Sequence, residues 1–207
     1  SLLAYSSLSH LGFCVLGLAS ASELALTGSV FQAVSHGFVT AGLFLVFGAI
    51  IDREGAGDFD SLGGLAKKIP VTAFFLMVLS IAAVALPLTS SFVGEFLIII
   101  GSWKSYPVWT VLSMGGVVLG AVYTLTAYLR VMFGPAKDAV PLRRADVRGG
   151  DALVLATLVA LVVALGILPG RALSVIESAI SLQVKDSRLE GRAYPAREFI
   201  GAGAHAH

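Results

Sequence analysis

The chain has 207 residues, 57% of them hydrophobic and only 13% charged, with a formal net charge of +1. A soluble domain carries about 25% charged residues; a water-facing surface cannot be built from so few, whereas lipid-facing helices need none. The near-neutral balance also excludes nucleic acid as a partner, because no basic patch is large enough to offset a phosphate backbone.

The chain opens on Ser1-Leu2-Leu3 and enters an apolar run at once. It has neither the basic n-region nor the cleavage site of a signal peptide, which is expected of a chain whose beginning is missing. A membrane helix needs roughly 20 mostly apolar residues. Residues 1–22 contain no Asp, Glu, Lys or Arg, and a first span is expected over about 2–20. It holds the only cysteine, Cys14, which reads as a small buried hydrophobe.

A second charge-free stretch, 24–51, closes at Asp52-Arg53-Glu54 and predicts a span over about 29–51. After Lys67-Lys68 comes a long apolar stretch interrupted at Leu86-Pro87-Leu88-Thr89-Ser90-Ser91. It reads as two spans, about 70–86 and 90–104, on either side of a helix break. A fifth span is expected over 107–133, with Pro107 at its start, where a helix tolerates proline. Gly116 and Gly120 form a small-xxx-small pair suited to close packing, although such pairs arise by chance in a chain with 23 glycines.

Residues 134–151 read as a loop and 152–170 as a sixth span. Residues 171–207 read as an amphipathic helix, its apolar positions falling between Ala172 and Gln183, followed by a Gly/Ala-rich tail. His205 and His207 on that tail are expected to be inert rather than metal ligands. Because the apolar runs are continuous, the fold class is an all-α membrane protein and not an alternating barrel. Six spans put both ends on one side, with the 134–151 loop facing Lys67, Lys68 and Lys104 across the membrane. Arg143, Arg144 and Arg148 then place that loop in the cytoplasm by the positive-inside rule.

Three ionisable residues fall inside apolar spans: His10, His36 and Glu95. A central charge costs about 2.5 to 3.5 kcal/mol on insertion scales, so such residues face a bundle interior or a water file and are functional candidates. Glu95 follows the break formed by Pro87, Thr89 and Ser90 by about one turn. Discontinuous helices of this kind line ion sites in transporters. A carboxylate there, balanced between burial and a nearby cation, can load and release a proton; a neutral acid hydrogen-bonded between helices fits the position too. An imidazole exchanges protons near neutrality, so His10 and His36 are candidate relays, or plain interhelical hydrogen-bonders. The sequence has no CxxC, GxGxxG or GxxxxGK[ST] pattern, and no redox centre, nucleotide site, cofactor or metal is expected in this chain.

Several stretches taken together resemble the M-type antiporter-like membrane subunits of respiratory complex I (NADH–quinone oxidoreductase). Leu2 to Phe13 is similar to their "LLAYSSxSHxGF", and Gln32 to Gly37 followed by Gly42-Leu43-Phe44 to their "QxxxHG…GLF". Leu62-Gly63-Gly64-Leu65, Pro70, Leu86-Pro87 and Phe92-Val93-Gly94-Glu95-Phe96 follow in the family's order. Glutamate at position 95 resembles subunit M, where the sister subunits L and N and the Mrp-type antiporters generally place lysine. One departure stands out: the family's break reads "LPGTSGF", and here Leu88 and Ser91 replace its two glycines.

The resemblance implies the six-helix C-terminal part of a 14-helix antiporter-like bundle, with residues 1–133 in the second of two inverted repeats and the sixth helix appended. It implies a proton-translocating subunit of an NADH:quinone oxidoreductase, with Glu95, His36 and His10 transferring protons. An Mrp-type or hydrogenase-linked cation/proton antiporter subunit is the alternative, and a scaffold whose polar residues only join helices is a third. FMN, iron–sulfur clusters, NADH and quinone would belong to the whole complex, and the neighbours would be subunits L and N within the bilayer. A β-hairpin in the loop 51–69 and a bacterial inner-membrane, multi-pass location follow from the same resemblance.

Overall fold

A computed structural model describes residues 2–54, 63–135 and 146–189. Seven α-helices account for nearly all of them: α1 (Leu2–Ser20), α2 (Glu23–Glu54), α3 (Pro70–Ala83), α4 (Ser90–Ser102), α5 (Pro107–Phe133), α6 (Gly150–Ile167) and α7 (Gly170–Leu189), with a short 3-10 turn at Leu65–Lys67. The chain is an all-α membrane protein. Among the described residues α2, α5 and α6 are each long and apolar enough to cross a bilayer.

The second helix starts earlier than 29. Ala21 takes a left-handed φ of 51°, which turns the chain sharply after α1. The Ser22 hydroxyl accepts from the Ala25 amide at 3.1 Å and donates to the Gly101 carbonyl at 2.9 Å. A serine cap followed by Glu23 in the first turn satisfies the open amides and suits the helix dipole, so α2 begins as soon as α1 has ended.

The expected spans 70–86 and 90–104 are not two crossings. With 14 and 13 residues, α3 and α4 are each about 20 Å long, short of the ~30 Å hydrocarbon core. They follow each other along α2. Gly42 of α2 lies against Leu79 of α3, Gln32 against Gly94, Gly28 against Leu97 and Ile98, and Ala25 against Gly101. Together they form one interrupted helix along α2, neither half of which is long enough to cross by itself. The apolar count alone suggests two spans because it does not register that both halves stack along the same neighbour.

That change relocates the loops. The Asp146 carboxylate, just before α6, accepts from the Val71 amide at 2.7 Å, the Thr72 amide at 3.1 Å and the Thr72 hydroxyl at 2.6 Å. Gly63 packs directly on the Pro135 carbonyl. Pro135 and Asp146 therefore lie at the same end of the bundle as Lys67 and Lys68, not opposite them. Of the loop 51–69 expected to hold a hairpin, residues 51–54 belong to α2 and 65–67 to the 3-10 turn, while residues 55–62, like the tail with His205 and His207, lie outside the described residues.

Asp146 caps α3 from a distance, since Ile69 and Pro70 leave the first-turn amides without a local side-chain acceptor. Partial burial pushes its carboxyl up, but the bonds from the Thr72 hydroxyl and the Val71, Val147 and Thr72 amides outweigh that and hold it below its ordinary value.

One apolar core ties the bundle together. It runs from Val39, Leu43, Val46 and Ile50 of α2 through Leu76 and Leu79 of α3 to Leu155 and Val162 of α6. The outer faces of α1 and α5 are apolar and exposed, with Leu8, Val15, Val118 and Leu119 each more than 60% open. An exposed apolar face of that extent belongs against lipid or another membrane helix. The amphipathic segment is longer than Ala172–Gln183: α7 has 20 residues, and Ser174, Glu177 and Ser181 line a cleft with Glu23 and Thr27 at the start of α2.

Candidate functional site

The break occupies residues 84–89. Ala85 and Leu88 both take left-handed φ values, 56° and 75°. Only part of the helical ladder is recovered: the Leu86 amide reaches back to the Ile81 carbonyl at 3.3 Å and the Thr89 amide to Leu86 at 3.2 Å. Pro87 has no amide to lose. The Thr89 hydroxyl donates to the Leu86 carbonyl at 2.7 Å, closing the turn before α4 restarts. Ser90 and Ser91 face α2, with hydroxyl oxygens 2.6 and 3.2 Å from that of Ser35. The predicted break residues Pro87, Thr89 and Ser90 thus shape the chain and fasten it to α2. Hydrogen bonds of Thr89 and Ser90 run to Leu86 and Ser35 rather than to the carboxylate.

Glu95 lies one turn into α4 and is 4% exposed. His10 on α1 faces it, with Nδ1 2.7 Å from Oε1. Gln32 on α2 is fully buried. Its Nε2 donates to the same Oε1 at 3.2 Å and lies 3.4 Å from His10 Nδ1. Three helices therefore converge on one carboxylate oxygen. Four residues further along α2, on the same face, the His36 ring stands 5.1 Å from that of His10, centroid to centroid. One turn on again, the Thr40 hydroxyl is 3.2 Å from His36 Nε2.

The three ionisable residues singled out in the sequence are brought together, in the order Glu95, His10, His36. Gln32 and Thr40 were missed as site residues. The available signal was their spacing of four on either side of His36, which puts all three on one stripe of α2. On its far side Glu95 borders a narrow gap shared with Ser9, Gly120 and Tyr123. The Gly116 and Gly120 pair does not bring a neighbouring helix into tight contact: nothing approaches a Cβ at 116, and only the Tyr123 ring, on the same helix, comes near one at 120.

Chemically, a short histidine–carboxylate contact in a buried setting can pass a proton from Nδ1 to Oε1. The N–H bond breaks, the O–H bond forms, and an ion pair becomes a neutral pair. The second imidazole lies within one ring-to-ring step. Toward the start of α2 this helix and α4 close up instead. A side chain at Gly28 would overlap the backbone of Ile98, and one at Gly94 would overlap Gln32, so α2 and α4 touch through backbone along this length.

Residues 1–120 match the family described as NADH:quinone oxidoreductase/Mrp antiporter, transmembrane. The NADH-quinone oxidoreductase subunit M of Pseudomonas aeruginosa is 38% identical over 81% of this chain and 33% of its own length. That of Rickettsia felis is 35% identical over 89% of this chain and 38% of its own. Among solved structures, a chain of respiratory complex I from Thermus thermophilus with bound NADH superposes with a TM-score of 0.75 and 32% identity, covering 86% of this chain and 38% of that one. A chain of the Mrp complex from Dietzia also gives 0.75, at 22% identity over 86% of this chain and 41% of that one, which is a likeness of fold. The chain thus spans little more than a third of the length of the curated relatives it matches.

Proposed function

The chain belongs to the NADH:quinone oxidoreductase/Mrp antiporter transmembrane family, and from that premise we propose that it carries the proton-transfer axis of a subunit M, in the membrane arm of NADH–quinone oxidoreductase. The observation that carries the proposal is the buried contact of 2.7 Å between His10 Nδ1 and Glu95 Oε1, beside a helix interruption. Glu95 is the proton acceptor and donor, His10 its direct partner, and His36 the next relay. Each charge moved against the membrane potential costs about 2.3 kcal/mol per 100 mV. The energy comes from quinone reduction in other subunits, which also hold the FMN, the iron–sulfur clusters and the NADH and quinone sites.

In this proposal residues 1–133 belong to the second of two inverted repeats, and the neighbours in the membrane are the antiporter-like subunits L and N. The location is the bacterial inner membrane. Lys67, Lys68 and Arg148 gather at the end that carries the 134–151 connection, and the positive-inside rule makes that end cytoplasmic. The Mrp-type alternative is weaker, because the likeness to that complex is one of fold at 22% identity, while the complex I chain is 32% identical.

The test is Glu95→Gln in the full-length subunit, with proton pumping and quinone reduction measured on the assembled complex. Pumping should fall severely. Undiminished pumping and turnover would defeat the proposal.

A further inference from the structure

Gln32 is a costly residue in its place. Its carbonyl oxygen is fully buried without a hydrogen-bond partner, a penalty that an apolar chain of the same size would avoid. The amide is turned so that this oxygen lies on the Gly94 side, where a Cβ would come within 2.6 Å of it. The NH2 group is thereby aimed at two acceptors, Glu95 Oε1 at 3.2 Å and His10 Nδ1 at 3.4 Å. The opposite orientation would set a carbonyl oxygen against a carboxylate. One donor group therefore stands within reach of both ends of the short His10–Glu95 bond.

We propose, resting on the proton-transfer role given above to His10 and Glu95, that Gln32 is a positioning residue that serves both locations of the shared proton. While the proton is on Nδ1, the imidazolium donates to Oε1 and Gln32 adds a second donor to the carboxylate. Transfer breaks N–H and forms O–H, leaving the electron pair on Nδ1. When the new carboxylic O–H turns toward the gap beside Tyr123, Nδ1 loses its partner. The Gln32 N–H then covers it, so that the proton does not simply return and His10 is reloaded from the His36 side. A buried acceptor is satisfied in each state, so neither location becomes a trap.

The test uses the full-length subunit in the assembled complex with Gln32→Met, which keeps size and removes the donors; Gln32→Leu serves where Met disturbs assembly. Two quantities are read: the rate of proton pumping relative to quinone reduction, and the ionised-carboxylate band of Glu95 in redox-difference infrared spectra. Glu95→Gln identifies that band by removing it. Loss of a hydrogen bond to a charged group predicts pumping slower by about tenfold, and the carboxylate band moved because ionised Glu95 has lost a donor. A band that disappears in Glu95→Gln but is unmoved in Gln32→Met, with pumping retained, would overturn the role of Gln32 alone. If Glu95→Gln removes no band and pumping persists, the failure lies in the proton-transfer proposal itself, and the role of Gln32 goes with it.

Discussion

The Leu88 carbonyl lies so close to Gly166 that any side chain at 166 would overlap it and the Thr89 backbone behind it. The last turn of α6 is thus pressed onto the break itself, not merely onto a flanking helix. Together with the Asp146 cap on the first turn of α3, this ties α6 and the residues just before it to the interrupted span at the start of its first half as well as at its break.

Gly166→Ala should therefore push α6 away from the break and lower stability by about 1 to 3 kcal/mol, the usual cost of overpacking a closed contact. Gly170→Ala is the control, because nothing approaches within 4 Å of a Cβ there; a change of about 0.5 kcal/mol or less is expected. Thermal unfolding in detergent distinguishes them. Equal melting temperatures for the two variants would contradict the contact.

Leu88 sits at φ 75°, a conformation that costs a side-chain-bearing residue about 1 to 2 kcal/mol. It is 66% exposed, so little packing is lost with its side chain. Leu88→Gly relieves the strain, offset by about 0.5 to 1 kcal/mol of extra backbone entropy in the unfolded chain. The net expectation is a gain of up to about 1 kcal/mol, read as a higher melting temperature. The glycine of the family's "LPGTSGF" pattern stands at this position, so the prediction restores the residue that the backbone favours.

The ionisable part of the site was legible in the sequence because a charge inside an apolar run is conspicuous. Gln32 was not, since an amide hardly disturbs hydropathy and its place in the cluster depends on the aim of one NH2 group between α1 and α4. The break was legible from Pro87 and the hydroxyls after it, but its topological meaning was hidden. Residues 70–104 hold enough apolar length for two spans. Only the pairing of Gly42 with Leu79 and of Gly28 with Ile98 shows both halves lying along α2. The positions of the loops follow from that pairing, which is why a count of six spans set Lys67 and Lys68 opposite residues 134–151.

Asp146→Asn should weaken the cap on α3 by about 1 kcal/mol at neutral pH, because the amide presents a donor where the backbone offers donors. The pH dependence has a definite sign. The Asp146 carboxyl is held below its ordinary value in the folded chain, so its contribution is present above the ordinary carboxylate range and is lost as pH falls through the lowered value. The gap in melting temperature between wild type and variant should be widest near neutrality and close in acid. A gap that is constant with pH would mean that the carboxylate is not the capping group.

On the proposed transfer of one proton between His10 and Glu95, their removal should not be additive. His10→Asn and Glu95→Gln each interrupt the same transfer between Nδ1 and Oε1, 2.7 Å apart. Once the step is lost, taking the second partner away removes nothing more. The double variant should therefore pump about as well as the worse single one, as groups acting as a unit do. Independent roles would instead multiply the two losses, the behaviour of sites that do not touch. Pumping in reconstituted vesicles, normalised to quinone reduction, gives the cycle directly. His36→Asn belongs in the same series. Its ring lies 5.1 Å from that of His10, so on the proposed relay its removal should slow reloading and leave the His10–Glu95 bond intact. Combined with Glu95→Gln it should add little, whereas alone it should cost less than either member of the pair.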